Sequence, residues 1–320
     1  MILAWARLIR ISNLPSAASN VLAGYLLVAG NWQPEFSVVW AIVASCLLYS
    51  AGIIGNDLHD YEDDVRLRPE RPLPSGRISC NAAWTVLALL VGAAIWICVQ
   101  NDGDTSTNRG GFRIGPRLGT AILLMTAIFV YDFLLKRFWF SAIFMGLCRG
   151  LNLLLGASFA LASSDLPDGY AFDPWIWAAA TSLVLYVTGL TLFARDESKP
   201  KPRRWLMWLG VLSMAGGIGG YVWMGWLMFP DGAAWPNRIT RVHLLLVSVI
   251  AFTVVRSSSM ACLTLDKSRI RGAVKTALFS LITLDAATVL LASGGQVIYS
   301  LVILGLLVVG MLLSRIVNPT

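Results

Sequence analysis

Apolar segments of about 20 residues recur along this chain, and they constrain its fold more than any other feature. Hydropathy places ten of them, at about 14–30, 36–55, 81–100, 117–135, 139–161, 175–194, 205–229, 241–261, 272–292 and 296–315. A helix of about 20 apolar residues is long enough to cross a lipid bilayer. We therefore expect an all-α membrane protein, in which residues 1–320 form one polytopic domain with nine to ten transmembrane helices.

The charges agree with a membrane protein. Charged residues make up 13% of the chain, whereas a soluble domain contains about 25%. The net charge of +7 raises the possibility of nucleic-acid binding. The basic residues lie in loops between the apolar segments, however, which is typical of the positive-inside rule. The expected surroundings are a lipid bilayer, and no nucleic-acid partner is predicted.

The distribution of lysine and arginine predicts the orientation. Of the 25 such residues, eighteen lie on the same side as the N-terminus, and two, Arg149 and Lys275, lie within apolar segments. Five lie on the opposite side: Arg109, Arg113, Arg117, Arg238 and Arg241. Because basic loops stay in the cytoplasm, we predict a cytoplasmic N-terminus and a cytoplasmic loop after the second segment.

That loop contains an unusual run of charges. Its acidic residues are Asp57, Asp60, Glu62, Asp63 and Asp64, and its arginines are Arg66, Arg68, Arg71 and Arg77. Neighbouring carboxylates repel one another unless a cation binds, and carboxylates are suitable ligands for divalent cations. Arginines bind phosphate oxygens. The combination indicates chemistry on a diphosphate at the cytoplasmic surface of the membrane.

Helical geometry brings three of these acids together. If the second helix continues beyond the membrane, Asp57, Asp60 and Asp64 lie within about 60° of one another on one face. This face could hold one or two Mg²⁺ ions, and Mg²⁺ would make a diphosphate a better leaving group. A solvated acidic loop that only balances the four arginines is the alternative. The geometry alone leaves both possibilities open.

The order of the residues resembles the UbiA-type intramembrane prenyltransferases. The pattern N-D-x-x-D-x-x-x-D begins at Asn56, and R-P-x-P-S-G-R follows at Arg71. Three further elements are similar to that family. They are an opening segment with Arg7, Arg10 and Asn13, a Y-x-x-x-x-K-R element with Tyr131, Lys136 and Arg137, and the fifth segment MGLCRGLNLLLG with Arg149, Asn152 and Gly156.

This resemblance implies a bundle of about nine transmembrane helices around a central cavity. In the family, two acidic motifs bind Mg²⁺ and a prenyl diphosphate, whose allylic cation alkylates a lipophilic acceptor such as an aromatic ring or a quinone precursor. By resemblance, Asp57, Asp60 and Asp64 are the predicted metal ligands and, with Asn56, the catalytic residues. The residues predicted to bind substrate are Arg71, Arg77, Lys136, Arg137, Arg149, Asn152, Asp196 and Glu197. For Arg149 and Asn152, a hydrogen bond between helices is the structural alternative.

The second acidic motif departs from the family pattern. Its acids, Asp196 and Glu197, are adjacent, and side chains of adjacent helical residues point about 100° apart. Asp196 could still bind a second Mg²⁺, or the loop could be a basic cytoplasmic loop with two incidental acids. This departure leaves open a carrier or scaffold on the same fold. The segment MGLCRGLNLLLG, the altered motif and the late segment Ala273 to Ala286 together look most like the bacterial EboC-type branch, associated with secondary-metabolite export. This resemblance implies a bacterial inner membrane.

Overall fold

The computed structural model describes residues 1–33, 35–102, 114–161, 172–197, 199, 202–229 and 238–317, and every regular element in these ranges is helical. The helices are α1 Ile2–Leu8, α2 Leu14–Ala29, α3 Glu35–His59, α4 Tyr61–Leu67, α5 Cys80–Asn101, α6 Pro116–Phe129, α7 Ala142–Ala160, α8 Pro174–Ala194, α9 Arg204–Leu227, α10 Arg238–Thr264, α11 Lys267–Ala292 and α12 Val297–Val317. A π-helical turn, Val130–Leu135, extends α6. Arg109, Arg113 and Lys201, which entered the charge count, lie outside the described residues.

Nine helices in the described part of the chain are long and apolar enough to cross a membrane, and they are α3 and α5 to α12. They correspond to nine of the ten predicted segments. The remaining segment, 14–30, is α2, which has 16 residues and is shorter than the roughly 20 residues of a usual span. The predicted all-α bundle of nine to ten membrane helices is confirmed.

The short helix α2 lies inside the bundle, with twelve of its 16 residues buried. It packs against α3, α7, α11 and α12. A Cβ added to Gly24 would overlap the backbone of Leu153 in α7, and one added to Gly156 would overlap the backbone of Val21. Small residues allow helix backbones to approach this closely in a membrane. Helix α2 therefore lies at the centre of the bundle, in close contact with α7.

The N-terminal helix α1 packs under the loop that follows α4. Ala4 and Leu8 of α1 share an apolar cluster with Ile54, Leu73 and Ile78, all of which are buried. The Nε of Arg7 donates a hydrogen bond of 3.0 Å to the carbonyl oxygen of Val317. Both ends of the described chain therefore lie on the same side of the bundle as the acidic loop, and Arg10 is held close to that loop.

Candidate active site

A cavity of about 270 Å³ lies between α2, α3, α6 and α7. Its polar lining consists of Arg10, Ser45, Tyr49, Asn56, Tyr131, Asp132, Arg149 and Asn152. Apolar side chains, among them Ile53, Leu124 and Ile128, form much of the remaining wall. The cavity is thus lined by apolar groups and by a small set of polar side chains, several of which belong to the predicted motifs.

The acidic residues keep the helical phase expected from the sequence. Helix α3 ends at His59 and α4 begins at Tyr61, but the hydrogen bonds continue across the break: the amide of Asp60 bonds to Asn56 and that of Asp64 to Asp60. Asp57 and Asp64 are only 6% and 5% exposed. Glu62 and Asp63, which fall on the other face, are exposed. The loop is therefore not uniformly solvated.

Each of the three inward-facing carboxylates binds a basic side chain. Asp57 lies 2.9 Å from Arg10, and a guanidinium nitrogen of Arg71 lies 3.5 Å from the same oxygen. Arg71 also lies 2.5 Å from Asp64. The predicted acidic motif and the predicted arginine of the R-P-x-P-S-G-R motif are therefore joined in one network of ion pairs.

Lys136 crosses from the end of the π-helical turn to α3. Its Nζ donates a hydrogen bond of 2.8 Å to Oδ1 of Asn56 and forms an ion pair with Asp60. The next residue, Arg137, is exposed, and so is Arg77 in the loop after α4. Neither of these two arginines lines the cavity, and their assignment to substrate binding stays a prediction.

Arg149 and Asn152 line the cavity and also connect helices. The guanidinium of Arg149 donates hydrogen bonds of 2.9 and 3.0 Å to the carbonyl and hydroxyl oxygens of Ser16. The side-chain oxygen of Asn152 accepts a hydrogen bond of 2.6 Å from Ser45, and its nitrogen donates one of 3.0 Å to Ala17. The two roles considered for this pair, cavity wall and contact between helices, are therefore compatible.

Asp196 is bound within its own loop. It is 1% exposed, and its carboxylate lies 2.7 Å from Nε of Arg203 and 2.7 Å from Nζ of Lys199. The hydrogen bonds from Arg203 hold the pKa of Asp196 well below its usual range. Glu197 lies 3.8 Å from Arg271. Neither acid lines the cavity, so their role in substrate binding stays a prediction without support from position.

Asp132 is a cavity residue that the sequence analysis did not single out. It belongs to the π-helical turn, is 5% exposed and lines the cavity. The available signal was a carboxylate within the predicted segment 117–135, because ionisable groups are costly in a bilayer and usually face the bundle interior. π-Helical turns inside α-helices also frequently mark functional sites.

The network of acids and bases adjoins the cavity at Arg10 and Asn56, and we call this end the mouth of the cavity. Its donor atoms suit a hard divalent cation. Among the described residues, no three His, Cys, Asp or Glu side chains are grouped closely enough to hold a metal ion in their present positions. The Lys136 ammonium nevertheless contacts two oxygen ligands at once, the Asn56 amide and the Asp60 carboxylate. Carboxylate and amide oxygens are also ligands of Mg²⁺. The arrangement already binds a cationic group and fits Mg²⁺.

Together, the fold and the site define a membrane-embedded helical bundle with an internal cavity and ion-paired acids at its mouth. The family model described as the UbiA prenyltransferase family matches residues 17–201, which is more than half of the chain. The chain belongs to the UbiA prenyltransferase family. The matched region contains the acidic motif, the Lys136 element, α7 and the Asp196 loop.

Named relatives match parts of the chain. A digeranylgeranylglyceryl phosphate synthase from Sulfurisphaera tokodaii is 30% identical over 195 residues, which cover 59% of this chain and 60% of the relative. One from Ignicoccus hospitalis is 27% identical over 201 residues, covering 61% and 57%. The match therefore spans less than two thirds of the length of these relatives. The narrower likeness to the EboC-type branch stays a prediction.

Solved structures share the fold over nearly the whole chain. A digeranylgeranylglyceryl phosphate synthase structure has a TM-score of 0.65 at 15% identity and covers 92% of this chain and 100% of its own. A UbiA homolog from Archaeoglobus fulgidus bound to GPP and Mg²⁺ has a TM-score of 0.58 at 12% identity and covers 94% and 99%. These similarities confirm the predicted UbiA-type fold of an integral membrane protein.

Proposed function

We propose that this protein is a Mg²⁺-dependent prenyltransferase, which moves the prenyl group of a prenyl diphosphate to a lipophilic acceptor within the membrane. The observation that carries the proposal is the network of paired acids and bases at the mouth of the partly apolar cavity. Family membership and the GPP and Mg²⁺ bound by the Archaeoglobus fulgidus homolog support it.

In this proposal, one set of residues binds the metal and another set binds the phosphate. Asn56, Asp57, Asp60 and Asp64 would hold Mg²⁺, which when bound neutralises the diphosphate and makes it a better leaving group. Because the metal then compensates the carboxylates, Arg71 and Lys136 become free to donate hydrogen bonds to phosphate oxygens. Charge-assisted hydrogen bonds of this kind are about twice as strong as neutral ones.

The apolar wall has a separate task. Ionisation breaks the bond between the prenyl C1 atom and the diphosphate oxygen, and the acceptor then forms a bond to C1 and loses a proton. Ile53, Leu124 and Ile128 line the cavity and exclude water, which would otherwise capture the allylic cation. The acceptor is proposed only as a class, an aromatic or quinone-like lipophilic molecule.

The orientation is part of the proposal. We place the protein in a bacterial inner membrane, with the N-terminus and the acidic motif on the cytoplasmic side. The excess of basic residues on that side supports this orientation. A cytoplasmic mouth gives the site access to Mg²⁺ and to soluble or membrane-bound prenyl diphosphates.

The test is prenyl transfer by the purified protein in lipid nanodiscs. Geranylgeranyl diphosphate and Mg²⁺ are supplied with aromatic, quinone-like and glyceryl phosphate acceptors, and diphosphate release and lipid products are measured. We expect release that stops with EDTA and in Asp57→Asn and Asp60→Asn, but not in Asp63→Asn, which changes an exposed acid. Absence of release with every acceptor contradicts the enzyme, and full activity of Asp57→Asn and Asp60→Asn contradicts the residue assignment.

A membrane carrier or scaffold in secondary-metabolite export is the second candidate. It is favoured by the second acidic loop, where Asp196 is bound by Arg203 and Lys199 instead of lining the cavity. Substrate flux through vesicles that persists without Mg²⁺ supports the carrier. Prenyl transfer by the same preparation contradicts it as the sole function.

A further inference from the structure

Asp132 is a buried carboxylate that forms no ion pair with the described residues. It is 5% exposed and lines the cavity, and no hydrogen bond or ion pair among the described residues reaches its side chain. An unpaired charge in a low-dielectric environment is costly. By contrast, Asp57, Asp60 and Asp64 each bind a basic side chain. Asp132 therefore has unused capacity to bind a cation that enters the cavity.

Asp132 lies close in sequence to Lys136, whose ammonium lies between Asn56 and Asp60. The two residues are four positions apart, at the end of the segment in which α6 becomes a π-helical turn. Asp132 lines the same cavity as Asn56 and Arg10, and Asn56 accepts a hydrogen bond from Lys136. Asp132 therefore lines the cavity from the turn that extends α6, and Asn56 lines it from α3.

The gap between Asn56 and Asp60 already binds a positive charge. The Nζ of Lys136 donates to Oδ1 of Asn56 at 2.8 Å and pairs with the carboxylate of Asp60. An ammonium that bridges an amide oxygen and a carboxylate occupies the kind of place that a metal cation takes. If a divalent cation enters this place, Lys136 must leave it, and the phosphate oxygens of the substrate are suitable new partners for the ammonium.

We propose that Asp132 is a metal ligand, which binds a divalent cation together with Asn56 and Asp60 and thereby replaces the acid that the second acidic motif does not supply. Lys136 occupies the cation position in the absence of substrate and moves to the phosphate when metal and diphosphate bind. The inference rests on the proposed function, since it assumes a metal–diphosphate complex at the mouth of the cavity.

Two features explain why a metal site here would need a ligand from the turn that extends α6. Asp196 is committed to Arg203 and Lys199, and neither Asp196 nor Glu197 lines the cavity. Asn56 and Asp57 lie at the end of α3 and Asp60 directly follows it, and ligands from one helix end reach only one side of an ion. Asp132 approaches from α6 and completes a site between two helices.

The test is direct binding of Mn²⁺, measured by electron paramagnetic resonance on protein in detergent with geranylgeranyl S-thiolodiphosphate, which does not ionise readily. We expect Asp132→Asn to weaken Mn²⁺ binding by about tenfold or more, a loss typical for disturbed metal sites. The Mg²⁺ concentration for half-maximal activity should rise by a similar factor. Asp132→Glu, which keeps the carboxylate, should retain most of the affinity, and Asp63→Asn, with the same change in charge, should retain all of it.

A second variant tests the exchange of Lys136 for the metal. Without diphosphate, Lys136→Met removes the competing ammonium, and we expect it to bind Mn²⁺ more tightly than the wild type. Thermal unfolding of each variant checks that the bundle is intact. If Asp132→Asn and Asp132→Glu do not fold, a Lys136→Met variant with unchanged or weaker Mn²⁺ binding overturns the proposal on its own.

The outcomes separate this inference from the proposed function. If Asp132→Asn binds Mn²⁺ with wild-type affinity, the metal role of Asp132 is overturned. This holds also if the kcat of the variant falls and the pH profile of kcat changes, a result that would identify Asp132 as a proton acceptor. Mn²⁺ binding that depends on Asp132 in a protein without prenyl transfer contradicts the proposed function and leaves the metal site intact.

Discussion

The guanidinium of Arg203 binds both carboxylate oxygens of Asp196, with Nε at 2.7 Å from Oδ2 and Nη2 at 3.1 Å from Oδ1. The backbone amide of Arg203 donates a third hydrogen bond, of 3.1 Å, to Oδ2. This fork joins the end of α8 to the start of α9. The second acidic motif therefore serves as a structural clasp between two membrane helices.

Breaking the clasp should destabilise the protein without removing the cavity. We expect Asp196→Asn to lower the free energy of unfolding by about 1.5–3 kcal/mol, the range for hydrogen bonds to charged groups, and Arg203→Gln to lower it as well. A double-mutant cycle in thermal unfolding should show that the two losses are not additive. Glu197→Gln, whose carboxylate lies 3.8 Å from Arg271, is the control. Additive losses contradict a direct pair.

The clasp should also resist acid. Its pairing lowers the pKa of Asp196 in the folded protein, whereas an unfolded Asp has a pKa of about 3.9. A lowered folded-state pKa contributes stability that is complete above the unfolded value and is lost as the pH falls through the folded one. The difference in melting temperature between wild type and Asp196→Asn should stay constant from about pH 5 to 8 and shrink only below about pH 4. A difference already lost at pH 6 is incompatible with this pairing.

Arg71 should matter for both stability and substrate binding. It bridges Asp57 and Asp64, so Arg71→Ala leaves two buried carboxylates with weaker compensation. We expect a loss of about 3 kcal/mol in the free energy of unfolding, as for other broken buried pairs, and a higher KM for prenyl diphosphate. Added Mg²⁺ should recover part of the stability. Arg68→Ala, at an exposed position of the same loop, should leave the stability and KM unchanged.

The contact between α2 and α7 gives a fourth prediction. Because a Cβ on Gly156 would overlap the carbonyl of Val21, Gly156→Ala should lower stability by about 1–3 kcal/mol, the usual cost of overpacking, and reduce the yield of folded protein in detergent. Gly216→Ala and Gly219→Ala are matched controls, since nothing lies within 4 Å of a Cβ at these positions. Equal effects of the three substitutions in thermal unfolding would show that the close approach of the helices is unimportant.

Much of the fold is predictable from the sequence because a bilayer imposes a fixed length on apolar helices. The predicted segment 81–100 lies within α5 (Cys80–Asn101), and 175–194 lies within α8 (Pro174–Ala194). Helical periodicity also places Asp57 and Asp64 on the buried face, apart from Glu62 and Asp63. These features depend on local geometry, which the order of residues determines.

Other features depend on contacts between distant residues and could not be read from spacing. Lys136 points to Asn56 and Asp60, 80 and 76 residues earlier, while its neighbour Arg137 is exposed. The closure of Asp196 on Arg203 depends on the path of a loop. Asp132 carried a signal, a carboxylate within an apolar segment, but its position beside the cavity required the packing of α6 against α3 and α7.

The enclosure of α2 has a consequence for biogenesis. This helix precedes the nine membrane-length helices of the described chain, yet its 16 residues are too few for a usual span. Three of the helices that it packs against, α7, α11 and α12, are synthesised much later. Ser19 of α2 donates a hydrogen bond to Asp285 of α11. This polar contact of α2 therefore forms only after α11 has been synthesised. Although α2 is made before these three helices, it should thus be among the last to reach its final place, and nascent chains that end before α11 should leave α2 outside the bundle and open to proteolysis.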